Sequence, residues 1–424
     1  IIKQSEELNT VLITGHHSIL DGWSLPVLLM NLHRYYHGLA VERRVAIVED
    51  SAYLRAQEYV CRAKGAVQAY WDKLLANVGE ANDINALLSK PIDALTYRQV
   101  GRPAGCIVKV TGENYKALKA LSKKAGVTLN VIVQFAWHKL LQVYSGRTQS
   151  IVGTTISGRD LPIEGIENSV GLYINTLPLV IDWENENTIL GQLHQIHQRV
   201  VDMNAHSFAD LAKLQKDGQR LFHSLLFFEN YPIEKGEDKC VPVVSVRNVI
   251  EKVDYPLSIL AYEHNDALTV SLQYDGEHLS EEKAKYHVAT LEKIIHQVIR
   301  DPNQLHKKIS LLSAEEYDQV VYRWNGTDKE YPNDKTIHEL FQDQAGRTPA
   351  KIALVYEEDH LTYKDLNARS NQLARHIRGR YLERCGKEME PDTLIALCLD
   401  RSLEMVVGIL GVLKAGGAYV PIDP

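Results

Sequence analysis

The spacing of apolar residues along the first 312 positions predicts an irregular alternation of helices and strands. A short apolar run at 10–13 predicts a buried strand, and after a polar turn Ser24 is expected to cap a helix that runs through Tyr36. Further helices are predicted at 51–75, 116–125, 128–144, 189–203 and 281–300. Further strands are predicted at 151–156, 170–181, 224–228, 241–250, 257–263 and 267–274. This order of elements is typical of an α/β fold with a mixed sheet.

The sequence changes character after residue 312. Residues 313–336 are charged, poor in aliphatic side chains and interrupted by turn-forming pairs such as Asn325-Gly326, which indicates a linker between two domains. A second unit is predicted over residues 337–424. Its predicted elements are a short helix at its start, a hairpin at 352–363 and helices at 363–377 and 402–413.

Composition and charge narrow the classes of function. The 47 basic and 54 acidic residues give a net charge of −7, which argues against a nucleic-acid-binding protein because such proteins present a basic face. No apolar run reaches the ~18 residues that a membrane-spanning helix needs. The five cysteines are scattered without CxxC spacing, so we expect neither a disulfide framework nor a zinc site, and we expect a reducing cytoplasm. The chain has no initiator Met, and we expect both ends to be cut from something larger.

The strongest candidate for chemistry is the segment 16–24, which reads His-His-Ser-Ile-Leu-Asp-Gly-Trp-Ser. A strand end followed by a turn and a capped helix can present one imidazole rigidly at a cleft, and histidine exchanges a proton near neutral pH. Asp21 can lock the turn through backbone or arginine contacts, and Gly22 permits a positive φ or the close approach of a substrate. Trp23 either lines a substrate tunnel or fills the core beneath the loop.

Two histidine pairs at helical spacing offer a second candidate. His33 and His37 are four residues apart, and His194 and His197 are three residues apart, so each pair could share a metal ion. The sequence places no third ligand beside either pair. Solvated helix faces are therefore the favoured interpretation, and we predict no metal site and no bound cofactor.

The segment from His16 to Gly22 resembles the HHxxxDG motif of nonribosomal peptide synthetase condensation domains, which are related to chloramphenicol acetyltransferase. CoA-dependent acyltransferases and epimerization domains carry versions of this motif. The choice between these families therefore depends on resemblances in other segments of the chain. Residues 157–159 (Ser-Gly-Arg) and 170–178 (Val-Gly-Leu-Tyr-Ile-Asn-Thr-Leu-Pro) resemble the late core motif of the condensation family. Further resemblances to condensation domains lie at 227–232 and 254–257, and resemblances to the first two core motifs of an adenylation domain lie at 361–366 and 413–421.

This resemblance implies an α/β fold, namely the two-lobed condensation fold similar to chloramphenicol acetyltransferase, followed by the beginning of an adenylation-domain α/β N-terminal subdomain. The implied domains are the end of the condensation N-lobe at 1–65, the C-lobe at 66–312, the linker at 313–336 and the adenylation fragment at 337–424. The family's N-lobe begins well before the histidine motif, so we expect an N-terminally incomplete domain. No phosphate-binding loop follows Pro424, so we expect no adenylation activity.

The implied reaction is amide bond formation between a donor acyl or peptidyl thioester and the amine of an acceptor aminoacyl thioester. The 4'-phosphopantetheine arms of an upstream donor and a downstream acceptor peptidyl carrier domain would deliver both substrates, and neither nucleic acid nor a membrane is an expected partner. His17 would contact the attacking amine as general base or positioning group, Gly22 would let its backbone approach the reacting centre, and Asn175 would lie near the tunnel. The residues expected to support the site structurally are His16, Asp21, Arg159 and Trp23.

One departure from the family's pattern and one subtype feature bear on this interpretation. The family's early arginine-rich motif, which would brace Asp21, is absent from the sequence. Arg159 could organise the same region, and an ion pair within a loop is an equally good account of it. Leu20 and the pair Leu25-Pro26 are closer to the subtype that accepts a D-configured donor than to the all-L subtype.

Other activities of the same fold remain as alternatives. An epimerization domain is disfavoured by the pair Asn175-Thr176 and by the adenylation segments that follow. A heterocyclization domain would carry Asp in place of His16. A catalytically silent platform that recruits a partner enzyme would lose the second histidine, which this chain keeps as His17.

Overall fold

A computed structural model of the protein describes residues 1–5, 9–12, 19–40, 51–215, 219–229 and 254–424. Within these residues the chain divides into two compact units, Ile1–Tyr322 and Arg323–Pro424. The strands of the first unit are β1 (Ile2–Lys3), β2 (Asn9–Thr10), β3 (Pro103–Val110), β4 (Gln149–Ile156), β5 (Asn175–Asp182), β6 (Ser224–Glu229), β7 (Leu257–His264) and β8 (Ala267–Asp275). Its helices are α1 (Ser24–Ala40), α2 (Ala52–Leu75), α3 (Gly112–Ala125), α4 (Leu129–Ser145), α5 (Ile189–Ala205), α6 (Leu211–Leu214), α7 (Glu281–Arg300) and α8 (Ala314–Asp318).

A six-stranded mixed sheet organises the first unit, in the order β3-β8-β7-β6-β4-β5. Strand β6 pairs in parallel with β4 and β7, and the other neighbours are antiparallel. Because side chains alternate between the faces of a strand, Val152 and Leu226 join the main core, whereas Ile151 and Leu225 join a smaller cluster around Phe222. The predicted α/β fold with a mixed sheet is confirmed.

Helices α3, α4, α5 and α7 pack on the sheet and enclose the main core. Helix α4 is the most buried of them, since almost every side chain from Leu129 to Leu141 is inaccessible, as expected for a helix that is apolar on all sides. Its predicted cap is confirmed, because the hydroxyl of Thr128 accepts a hydrogen bond from the amide of Val131. The prediction for α7 at 281–300 is confirmed at both ends.

The capping role expected of Ser24 is wrong. Ser24 is the first residue of α1, and its amide donates to the carboxylate of Asp21 at 2.8 Å. The carboxylate three residues earlier therefore satisfies this free helical amide, which leaves the hydroxyl of Ser24 available for other contacts.

Three predicted strands differ from the structure. The strand expected at 10–13 ends at Thr10, and Val11 and Leu12 are 53% and 76% exposed, because β2 pairs only with the two residues of β1 among the described residues. The strand expected from residue 170 begins at Asn175, since the preceding amides donate to Asp21 instead of to a neighbouring strand. The strand expected at 241–250 lies outside the described residues.

Strand β3 was not predicted. It contains Pro103 and Gly105, which are poor strand formers, and it lies at the edge of the sheet with Ile107 exposed. An edge strand with one solvated side is the position in a sheet that tolerates such residues.

The second unit contains three helices and two strand pairs in its described residues. Its elements are α9 (Ile337–Arg347), β9 (Ile352–Tyr356), β10 (Asp359–Thr362), α10 (Tyr363–Cys385), β11 (Thr393–Cys398), α11 (Leu403–Ala415) and β12 (Gly417–Ile422). The predicted hairpin is confirmed as β9 and β10. Strand β11 precedes α11 in the sequence and β12 follows it, and these two strands pair in parallel. A core of Leu361, Leu366, Leu403 and Leu410 holds the helices on these strands.

Residues 313–336 begin with structure that belongs to the first unit. Helix α8 starts with a capping box between Ser313 and Glu316, and Glu316 accepts a salt bridge from Lys293 of α7 at 2.8 Å. Every residue from 322 to 337 is exposed. Among the helices that the structure describes, none is both long and apolar enough to cross a membrane.

Candidate active site

Asp21 and Arg159 form a buried ion pair across 138 positions of sequence. One guanidinium nitrogen of Arg159, Nη2, lies 3.0 Å from Oδ1 and 3.2 Å from Oδ2 of Asp21. The side chain of Arg159 is only 3% exposed and that of Asp21 only 1%. A buried pair of charges is tolerated only where further hydrogen bonds satisfy both groups, so its surroundings decide whether it is stable.

The carboxylate of Asp21 is fully hydrogen-bonded. Oδ1 accepts from the amide of Ser24 at 2.8 Å, and the hydroxyl oxygen of Ser24 lies 2.6 Å from it. Oδ2 accepts from the amides of Tyr173 at 3.0 Å and Ile174 at 3.3 Å. Burial alone would raise the pKa of Asp21, but the hydrogen bonds from Ser24 and Tyr173 and the charge of Arg159 together hold that pKa below its usual value.

The guanidinium of Arg159 anchors the loop before β5. Nη1 donates to the carbonyl oxygens of Ile166 at 2.8 Å and Ser169 at 2.9 Å. Its Cζ lies 4.1 Å from the ring centre of Tyr173 and 5.8 Å from that of Trp23, so both aromatic faces contribute cation–π attraction. Arg159 therefore braces Asp21 from within the described residues.

Trp23 is half-buried and lies against Arg159. Its indole N–H donates to the carbonyl oxygen of Glu167 at 2.9 Å, which attaches the start of α1 to the same loop. Gly22 lies in the turn between Asp21 and Trp23 and is also half-buried. The ring of Trp23 thus covers the ion pair on one side.

Gly158 occupies a position that only glycine can fill without strain. Its φ is +65°, and a Cβ atom there would lie 2.0 Å from the carbonyl oxygen of Tyr173. The close approach of these two backbones allows Arg159, the next residue, to reach Asp21.

Asn175 starts β5 and connects it to the loop after α5. Its amide nitrogen donates to the carbonyl oxygens of Ser207 at 2.7 Å and Ala209 at 2.8 Å. Its side-chain oxygen accepts from the amide of Thr176 at 2.9 Å. Because Ile174 donates to Asp21, Asn175 directly follows the residues that the ion pair fixes.

The structure brings Asp21, Trp23 and Arg159 together. Gly22 lies between Asp21 and Trp23 along the chain, and Asn175 follows Ile174, whose amide donates to Asp21. His16 and His17 lie outside the described residues. Sequence reasoning assigned no role in the site to the hydroxyl of Ser24 or to Tyr173, although both lie inside the motif-like segments. The only signal for them in the sequence was their position within those segments.

The candidate metal ligands do not form a site among the described residues. His194 is exposed, and its Nε2 lies 2.9 Å from the carbonyl oxygen of Ala125; the side chain of His37 lies outside the described residues. Asp275, Glu277 and His278 are the one group of three potential ligands that lie close together in the described part of the chain. The carboxylate of Asp275 already accepts four hydrogen bonds, from Tyr97, Gly101, Arg102 and Glu277, so it has no lone pair left for a cation.

Family models match both units. The Condensation domain model matches residues 1–321, and the AMP-binding enzyme model matches residues 341–424. These matches cover the segments whose motifs were singled out in the sequence.

Two curated relatives are large peptide synthetases. N-(5-amino-5-carboxypentanoyl)-L-cysteinyl-D-valine synthase of Amycolatopsis lactamdurans is 37% identical over 439 residues, which cover 100% of this chain and 12% of the relative. Bacitracin synthase 3 of Bacillus licheniformis is 30% identical over 435 residues, which cover 100% of this chain and 7% of the relative. The chain therefore spans a small part of the length of these relatives.

A solved structure shares the fold. A four-domain nonribosomal peptide synthetase in its holo form, bound to AMP and glycine, superposes with a TM-score of 0.67 at 19% identity. The superposition covers 96% of this chain and 32% of that one. At this identity the likeness concerns the fold alone.

Proposed function

Because the chain belongs to the condensation-domain family of nonribosomal peptide synthetases and continues into the start of an AMP-binding enzyme, we propose that its first unit joins two carrier-bound substrates. The acceptor is an aminoacyl thioester, and its amine attacks the carbonyl carbon of a donor acyl or peptidyl thioester. A C–N bond forms, the C–S bond of the donor breaks, and the thiol of the donor's 4'-phosphopantetheine arm leaves. An upstream and a downstream carrier domain present these arms, and the adjacent adenylation domain is a further partner.

His17 is the proposed catalytic residue. Its imidazole accepts the proton that the amine loses as the C–N bond forms, or it holds the amine in place for attack. A thioester is already activated, so orientation of the reactants can supply several kcal/mol of the barrier. A single general base typically adds about 10²–10⁴-fold to the rate.

The observation that carries this proposal is the buried ion pair of Asp21 and Arg159. It fixes the turn that follows His17 against the loop before β5, which lies far away in sequence. His17 stands four positions before Asp21 in the sequence, so covalent geometry limits the distance between their Cα atoms to about 14 Å. The ion pair thus lies within a few residues of the proposed catalytic histidine in the sequence.

The other site residues receive supporting roles in the proposal. Gly22 gives the reacting centre access to its backbone, and His16 supports its neighbour. Trp23 covers the ion pair. Asn175 acts by positioning, since its side chain holds the loop at Ser207 and Ala209.

The domain limits and the location of the protein remain predictions. The N-lobe end is proposed at 1–65, the C-lobe at 66–312, the linker at 313–336 and the adenylation fragment at 337–424. The expected compartment is the cytoplasm, on the strength of the scattered cysteines.

The test is a single-turnover assay with the complete holo-synthetase that contains this chain. Before the assay, a phosphopantetheinyl transferase converts its apo donor and acceptor carriers to loaded holo carriers with aminoacyl-coenzyme A, from a panel of L-amino acids and, for the donor, their D epimers. Mass spectrometry of the carriers detects an amide product, and chiral chromatography of the amino acids released from the carriers detects inversion of the α-carbon. The two readings distinguish condensation from epimerization and from a silent platform. Absence of the amide with every pair would overturn the proposal.

Replacing the imidazole tests the assigned role within that assay. His17→Ala is expected to lower the rate of amide formation by at least about a hundredfold, because general base catalysis contributes that much. His264→Ala, at an exposed position of β7, serves as the matched control and should react like the wild type. An unchanged rate in a folded His17→Ala synthetase would remove His17 from the mechanism.

A further inference from the structure

The hydroxyl of Ser24 joins two segments that are 147 positions apart. Its Oγ lies 2.8 Å from the carbonyl oxygen and 3.0 Å from the amide nitrogen of Gly171. The same atom lies 2.6 Å from Oδ1 of Asp21 and 3.1 Å from Nη2 of Arg159. Ser24 has no exposed surface, so water does not compete for these contacts.

The donor and acceptor capacity of this hydroxyl is fully used. A serine hydroxyl carries one proton and two lone pairs. Oγ accepts from the amide of Gly171 and from the guanidinium of Arg159, and its own proton goes to either Asp21 or the Gly171 carbonyl. Alanine at this position would remove all four contacts and leave the amide of Gly171 without this acceptor.

Gly171 is held from its other side by Tyr53. A Cβ atom on Gly171 would lie 2.6 Å from Cδ2 of Tyr53, so the ring packs directly on the backbone of the glycine. The Tyr53 ring also meets the ring of Tyr173 edge to face, with 5.4 Å between their centres. The backbone of Gly171 is therefore enclosed between the hydroxyl of Ser24 and an aromatic ring of α2.

We propose, on the basis of the proposed function, that Ser24 is a positioning residue that holds Asp21 and the first turn of α1 in register with the segment at Gly171. The ion pair alone fixes Asp21, whereas Ser24 adds a direct bond between the first turn of α1 and that segment. Loss of this bond lets residues 21–24 shift relative to Gly171 without removing any group that contacts substrate. A displacement of about 1 Å at a reacting group can cost about a hundredfold in rate.

The experiment compares Ser24→Ala with wild type in the holo-synthetase, with the donor carrier charged with the most productive donor of the panel. The acceptor is the pantetheine thioester of the matching amino acid, supplied at increasing concentration. The single-turnover rate at saturation is expected to fall by about tenfold to a hundredfold, with the acceptor concentration for half-saturation unchanged. Ser258→Ala is the matched control, because Ser258 is also fully buried but its hydroxyl has no partner in the described structure.

Two results would overturn the proposal. One is a saturating rate within twofold of wild type, and the other is a loss explained entirely by a higher half-saturating concentration. If Ser24→Ala does not fold, Tyr53→Ala replaces it, because this variant removes the ring that packs on Gly171 from the other side. Its saturating rate and half-saturating concentration are then judged by the same two criteria. A wild-type synthetase that forms no amide would instead refute the proposed function, so the two failures are distinguishable.

Discussion

Each oxygen of the Asp21 carboxylate accepts hydrogen bonds from two different segments of the chain. The charge is therefore stable in the interior, although burial of an unpaired carboxylate would cost several kcal/mol. Arg159 meets the same requirement at Nη1 and Nη2, and only its Nε has no partner in the described structure. Removing either member would leave the other charge buried and uncompensated.

Arg159→Met is expected to lower the free energy of unfolding of the first unit by about 3–5 kcal/mol, because the carboxylate of Asp21 stays buried without its counter-charge. Chemical denaturation measures the change. The matched control is Arg147→Met, which breaks an exposed pair with Glu80 and should cost at most about 1 kcal/mol. Equal losses for the two variants would show that the buried pair has no special importance for stability.

The sequence indicated that Asp21 would contact backbone groups or an arginine, and both contacts are present. It did not identify which arginine, because the partner is 138 positions away and only the folded sheet brings it close. Ser24 was assigned to the helix cap because capping preferences are local, whereas its actual contact at Gly171 is tertiary. Local spacing thus located the segment but not the bonds that hold it.

Among the helices and strands, those that contribute most to the main core were predicted best. Helices α4 and α7 carry strong apolar patterns and side-chain caps, so their ends matched closely. Strand β3 was missed because proline and glycine weaken its pattern, and β5 was predicted too long because apolar residues continue into the preceding loop. Apolar composition does not distinguish a loop that is tied to a buried charge from a strand.

Helix α4 also carries a buried lysine that makes the stability of the first unit depend on pH. Lys139 is only 3% exposed, and its Nζ donates to Gln142 at 2.9 Å and to Nδ1 of His306 at 3.3 Å. It lies 5.2 Å from the ring centre of Trp183. Burial lowers the pKa of Lys139 to about 8, from 10.5 in the unfolded chain.

Between pH 8 and 10.5 the unfolded chain binds the Lys139 proton and the folded chain does not. The contribution of this group to the free energy of unfolding therefore rises with pH, by up to about 1.4 kcal/mol per pH unit. We expect the difference in that free energy, wild type minus Lys139→Met, to increase from pH 8 to pH 10. Lys116→Met, at an exposed position of α3, serves as control, and a pH-independent difference for Lys139→Met would contradict the prediction.

For the chain as a whole, the change in composition after residue 312 indicated two domains, and the structure divides at Tyr322. The sequence predicted a domain boundary near the observed one, because exposed segments between domains are charged and poor in aliphatic residues. Helix α8 was not predicted, since its anchoring to α7 depends on the salt bridge to Lys293.

Limited proteolysis should cut first between the units. The segment from 322 to 337 is exposed throughout, with Trp324 and Tyr331 66% and 76% exposed, and it contains Lys329 and Lys335. Trypsin at low concentration is expected to cleave there before it cleaves within the helices of either unit, as mass spectrometry of the fragments would show. Initial cleavage inside α10 would contradict this division of the chain.

The long sequence separation of the ion pair also has a consequence during synthesis. A ribosome adding about 5–20 residues per second needs roughly 7–28 s to make the 138 residues from Gly22 to Arg159. Throughout that interval the nascent Asp21 lacks the arginine with which it pairs in the folded protein. The turn at residues 21–23 can therefore become fixed in its final place only after translation has passed Arg159, which makes it a late event in the maturation of the polypeptide.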